Sequence, residues 1–252
     1  MRSAEMSASR RAEVALLGMA IAFTGFVVVV VNVLIYWSRA QFNMRHPDFV
    51  LRQPPTISKA ISDPIIGEPF AGWMAISAPL LFLGIIGIAL GLLLDLRRQS
   101  GQGFGGLKRA VVLACLLITL QGLAAIGMYI LSHYRHGGMH MTGSYLFFFS
   151  QAFVVVVGEL LSRGISRYPN GSVVISVRMA RFRRRFVWMP IVLGVSYLGL
   201  FVLKNFDTGA FYDPLYQLYV WTEPMLLSSF LIYLLTFHVD TYSAIRRHLR
   251  AS

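Results

Sequence analysis

The chain has 252 residues, of which 56% are hydrophobic and 13% charged, with a formal net charge of +12 and a mean hydropathy of +0.62. Soluble globular domains carry about 25% charged residues, and disordered chains need low hydrophobicity, so this balance excludes both and leaves a multi-pass membrane protein. Composition does not identify an activity.

A helix that crosses the hydrocarbon core needs about 20 mostly apolar residues. Six segments qualify, at residues 14–37, 70–96, 110–131, 143–161, 186–203 and 214–239. They predict an all-α bundle of six transmembrane helices in a single domain over residues 1–252. Strand-like runs such as Val154–Val157 sit inside longer apolar stretches, which favours helices over a β-barrel. The first span is too long for a signal-peptide core and lacks a small-residue cleavage site, so it is expected to stay as an anchor. Cys115 is the lone cysteine and lies in an apolar run; no intrachain disulfide is possible, and it is expected to be a small buried hydrophobe.

Two connections are long. Residues 38–69 contain Pro47, Pro54, Pro55, Pro64 and Pro69 and are expected to form an ordered outer loop. Residues 162–185 form a basic loop on the other side. Seventeen of the 23 Lys and Arg residues fall at the N-terminus, the second and fourth connections and the C-terminal tail, and six fall in the odd connections. The positive-inside rule then puts both termini in the cytoplasm. The net charge is thus read chiefly as a topology signal. Arg178, Arg181, Arg183, Arg184 and Arg185 could in addition grip anionic lipid head groups. Nucleic acid is not an expected partner, because no soluble module accompanies the arginines.

An ionisable residue at the centre of a bilayer costs at least ~2.5–3.5 kcal/mol, so each one needs a partner or a role. Asp95, beside Arg97 and Arg98, reads as an interfacial ion pair. Glu159 reads as an i, i+4 pair with Arg163. Glu223 has no Lys or Arg within one helical turn and is followed by Pro224, which favours a kink. It is expected just below the outer interface, either as a structural partner in the bundle or as a ligand- or proton-handling group. His133, His136 and His140 have a spacing that resembles metal ligation, but Gly137-Gly138 breaks the helix between them, and no metal site is expected. His140 opens the fourth span at the depth of Glu223, so the two could meet. Haem is disfavoured because only the outer ends of spans three and four could supply two axial histidines, and adjacent helices joined by a short loop leave little room; no mid-helix Lys in the last span suits a retinal Schiff base. Motifs for a nucleophile elbow, zinc protease, Walker loop or dinucleotide fold are absent. No cofactor is expected.

Three stretches together resemble the Frag/DRAM/Sfk family of six-pass membrane proteins, which includes damage-regulated autophagy modulators and a Golgi factor that remodels GPI-anchor lipids. They are Pro55-Thr-Ile-Ser58-Lys-Ala-Ile61 with Glu68-Pro69, then His140-Met-Thr-Gly143 with Phe147-Phe-Phe149, and Glu223 with Tyr233-Leu-Leu-Thr-Phe-His-Val-Asp240. The resemblance implies a lipid-linked role, in sensing, presenting or regulating the remodelling of a membrane lipid. It also implies a polar pocket for a lipid or partner formed by His140, Glu223, Ser58 and Gly143, with the proline-rich loop as lid. Asp240, Asp95 and Glu159 are expected to be structural, with Arg246 and Arg247 neutralising Asp240. The rival expectations are an accessory subunit of a larger membrane complex, and a lipid-modifying enzyme using His140 as acid/base and Glu223 to orient it. The preference for Arg over Lys reads as bacterial, which would place the chain in an inner membrane.

Overall fold

The computed structural model describes residues 8–99, 104–134, 137–166, 174–206 and 208–250. In chain order they form α1 (Ala8–Arg45), α2 (Pro47–Val50), α3 (Ile57–Ile61), α4 (Pro64–Gln99), α5 (Phe104–Ser132), α6 (Gly137–Ser166), α7 (Val177–Phe186), α8 (Trp188–Leu203), a short 3-10 turn (Gly209–Phe211) and α9 (Tyr212–Arg250). No strand occurs among the described residues. Six helical stretches are long and apolar enough to cross a membrane. The first turns of α1 and the last turns of α9 share one end of the bundle, called here the termini end, where His248 Nε2 lies 2.9 Å from Glu13 Oε1. The opposite end carries α2 and α3 and is called here the loop end.

Five of the six helices overrun their apolar windows at both ends, because hydropathy registers only the lipid-facing middle of a helix whose outer turns are polar; α8 alone stays within its window. The expected loop over 38–69 therefore shrinks. Helix α1 continues to Arg45, and Pro64 and Pro69 belong to α4. Asp63 explains the early start of α4. Its carboxylate accepts the N–H of Ile65 at 3.0 Å as a helix cap, with Pro64 in the first position where no donor is missed. The same carboxylate binds Arg45 Nε at 2.9 Å and His46 Nε2 at 3.0 Å, tying the start of α4 to the end of α1. The bonded Arg45 guanidinium, with His46 and the Ile65 N–H, holds the Asp63 carboxyl down at about 2.

The expected basic loop over 162–185 is likewise mostly helix. Helix α6 runs to Ser166, and the arginine run is α7, capped by the Ser176 hydroxyl on the N–H of Met179 at 3.2 Å. A single turn at Val187 separates it from α8.

Helices α1, α4, α5 and α6 pack successively as neighbours, and α9 packs on α1 and α8. The α5–α6 approach needs glycine: a Cβ on Gly143 would lie 2.5 Å from the Leu131 nitrogen, and one on Gly127 would lie 2.5 Å from the Phe147 nitrogen. Small residues at such a seam let helices approach closely in lipid, where hydrophobic burial supplies no driving force. Large apolar side chains such as Val29, Val112, Phe153 and Val195 point outward. Cys115 does so too, against the expectation of burial, since it lies off the buried stripe of α5 that carries Ala110, Ala114 and Leu117.

Candidate functional site: a lateral cavity with a polar end

Helix α6 touches α8 and α9 only sparsely, and a cavity of about 370 Å³ fills the gap. This falls within the range of small-molecule pockets. Its α6 wall runs from His140 to Val156, roughly 24 Å at 1.5 Å per residue. Most of the lining is apolar, including Phe148, Val155, Ile191 and Phe230; the polar groups gather at the loop end, where Ser58, His140, Tyr197, Tyr219 and Glu223 line it. A smaller chamber of about 50 Å³ adjoins it and shares Ser58, His140 and Glu223.

Three elements build the polar end. Helix α3 begins with Thr56, whose hydroxyl accepts the N–H of Lys59 at 3.0 Å. The next N–H, of Ile57, is taken by Glu223 Oε2 of α9 at 2.9 Å. A carboxylate on a first-turn N–H is a favourable charge-assisted bond, and here it fastens α3 to α9. Ser58 then presents its hydroxyl to His140 Nε2 at 3.0 Å, while His140 Nδ1 sits 2.6 Å from the carbonyl of Leu131 in the last turn of α5. A carbonyl only accepts, so Nδ1 carries the proton; in the neutral imidazole Nε2 is then the acceptor, and Ser58 Oγ–H donates to it.

Glu223 and His140, 4% exposed each, do not bond to each other. They bind adjacent residues of α3, Ile57 and Ser58. Gly143 departs from its expected place. It does not line the cavity but sits at the α5–α6 seam, one turn from His140, where it lets the Leu131 carbonyl come within reach. Neither Tyr197 nor Tyr219 was expected in the pocket. Tyr197 and Tyr219 stack with ring centres 5.1 Å apart and hydroxyls 3.2 Å apart. At the rim, Lys204 Nζ lies 4.4 Å from the Tyr219 ring centre. Burial pulls the Lys204 ammonium below its usual pKa, opposed by the Glu223 carboxylate.

The other sequence candidates fall at the termini end. Asp95 accepts the N–H of Val174 at 3.2 Å, joining α4 to the segment before α7. Glu159 contacts Arg163 at 3.5 Å and Arg184 at 3.9 Å. Asp240 pairs with Arg183 Nη2 at 2.6 Å and accepts the N–H of Ser176 at 3.1 Å. Arg183, not Arg246 or Arg247, is therefore its partner. Arg183 is 0% exposed and also donates to Ser162 Oγ and the Thr236 carbonyl. It cannot reach a lipid head group, which corrects that expectation; its place on the inward stripe with Ala180 and Val187 is the reason. Arg178, Arg181, Arg184 and Arg185 are exposed. Of the histidine cluster, His133 Nδ1 meets the Tyr129 carbonyl at 2.8 Å and His140 is engaged as above, while His136 lies outside the described residues. Among the described residues no three His, Cys, Asp or Glu side chains gather to hold a metal.

The fold defines a polytopic helical membrane protein with a lateral cavity. Residues 11–244 match the family model described as the Frag1/DRAM/Sfk1/Cwh43P N-terminal domain, and the chain belongs to that family. No curated protein and no solved structure shows a significant match to it.

Proposed function

We propose that this family member holds a membrane lipid in the α6–α8–α9 cavity, and through it senses, presents or regulates the remodelling of that lipid. The observation that carries the reading is the shape and polarity of the cavity: an apolar slot along the bilayer with hydroxyl, imidazole and carboxylate groups at one end. That polarity matches an amphiphile lying in one leaflet with its chain toward the midplane. Helix α3 is the lid over the polar end, held by Glu223 and His140. At the opposite end, exposed Arg178, Arg181 and Arg185 offer α7 to anionic head groups.

The test is to purify the chain in mild detergent from its native membrane and identify the retained lipids and proteins by mass spectrometry. A defined lipid that stays with wild type and is lost from Glu223→Leu supports the reading. Stoichiometric protein partners without a selective lipid would instead make it a subunit of a complex.

A further inference from the structure

Ser58 and His140 have the arrangement of an activated nucleophile. The hydroxyl donates to Nε2 at 3.0 Å, and the other ring nitrogen is fixed as N–H by the Leu131 carbonyl at 2.6 Å, so the free base points at the serine. A third group that sets the tautomer and orientation of the base is the general requirement for serine activation, and the residues need not be adjacent in sequence. Both side chains line the lipid-sized cavity and its adjoining chamber. A merely structural serine at the start of a helix would turn its hydroxyl back to the backbone. Here Thr56 already serves that purpose, which leaves Ser58 for the histidine.

We infer that Ser58 and His140 carry out acyl transfer on an ester-linked lipid; this rests on the cavity being a lipid site. Ser58 Oγ attacks the ester carbonyl and its proton passes to His140 Nε2. The tetrahedral intermediate collapses, the C–O bond to the lipid alcohol breaks, and the departing oxygen takes the proton from His140. The acyl group is left as an ester on Ser58. Water, or the hydroxyl of a second lipid, then attacks that ester with His140 as base, and Ser58 is restored as a fatty acid or a new ester leaves. The Leu131 carbonyl, 2.6 Å from Nδ1, holds the imidazolium formed in each step. Tyr197 and Tyr219 line the same cavity with their hydroxyls bonded to each other at 3.2 Å, which leaves one O–H of the pair free to donate to the developing oxyanion.

The experiment uses the purified full chain and a long-chain alkyl fluorophosphonate, in which attack by Ser58 on phosphorus expels fluoride. Intact-mass and peptide mapping should show a single adduct at Ser58. Ser58→Ala should give none, and His140→Asn should slow labelling about 10²–10⁴-fold, the usual worth of a general base. The Asn amide can still donate to the Leu131 carbonyl, so this variant removes the base while keeping the α5 contact; its melting temperature and lipid content report whether the fold survives. Wild type that retains its lipid but gives no adduct at Ser58, or labelling in His140→Asn at the wild-type rate, would overturn the inference and leave the lipid site standing. Absence of both lipid and adduct would overturn the two together.

Discussion

The guanidinium of Arg183 and the carboxylate of Asp240 meet at 2.6 Å with exposures of 0% and 2%, and with them α7 is latched to α9. The remaining donors and acceptors are also used. Arg183 reaches Ser162 and the Thr236 carbonyl and lies 4.3 Å from the Phe237 ring centre, and Asp240 holds the N–H of Ser176. Breaking a buried pair from one side leaves an uncompensated charge, at a cost of about 3–5 kcal/mol, whereas replacing both partners by apolar groups is often neutral. Arg183→Met and Asp240→Leu should each lower the thermal midpoint in detergent sharply, and the double variant should recover most of the loss. Additive losses would mean that the two act separately.

Glu223 secures the lid. In Glu223→Gln the amide oxygen can still accept from Ile57, so stability should fall by no more than about 1 kcal/mol. Glu223→Leu strands a buried N–H and should cost about 1–3 kcal/mol. Hydrogen exchange at Ile57 and Ser58 checks this directly: protection should persist in Gln and vanish in Leu.

The same lid is tied down at its far side by Asp63, which bonds Arg45, His46 and the N–H of Ile65. A carboxylate depressed to about 2 gives stability that is fully present above its unfolded value of about 3.9 and is lost as pH falls from there toward 2. The pair lies near the surface, so the effect is modest and screened by salt. Proteolytic nicking between residues 46 and 63 should rise below pH 4 in wild type, while Asp63→Asn should be nicked equally at pH 3 and pH 7.

On α7, Arg178, Arg181 and Arg185 are exposed and make no ion pair among the described residues. With each basic residue worth about 1 kcal/mol near an anionic surface, wild type extracted from equal parts phosphatidylglycerol and phosphatidylcholine should retain the former in excess. The triple glutamine variant should lose that excess and the triple lysine variant should keep it. Equal retention in all three would assign these charges to topology alone.

The bundle was legible in the sequence because six apolar windows of spanning length leave little choice of architecture. Helix ends were not, since Asp63 caps α4 through contacts that exist only once α1 is beside it. Glu223 and His140 could be singled out as polar residues beside the bilayer and Ser58 through the resemblance of its loop stretch, and the structure brings all three to one end of one cavity. Their pairing was not readable, because α3, which receives Glu223 and supplies Ser58, is too short to show periodicity. Arg183 looked like its neighbours in the basic run. Its i−3 Ala180 and i+4 Val187 were the signal that it faces inward.

The central claim is that the cavity holds a lipid. Ala152 lines it on α6, and Ala152→Trp would fill the slot while leaving Ser58, His140 and Glu223 in place. Native mass spectrometry of wild type and this variant, purified alike, tests the claim most directly. The account predicts a defined lipid bound to wild type and absent from a variant with an unchanged melting temperature or a higher one. The same lipid at the same occupancy in both would contradict it.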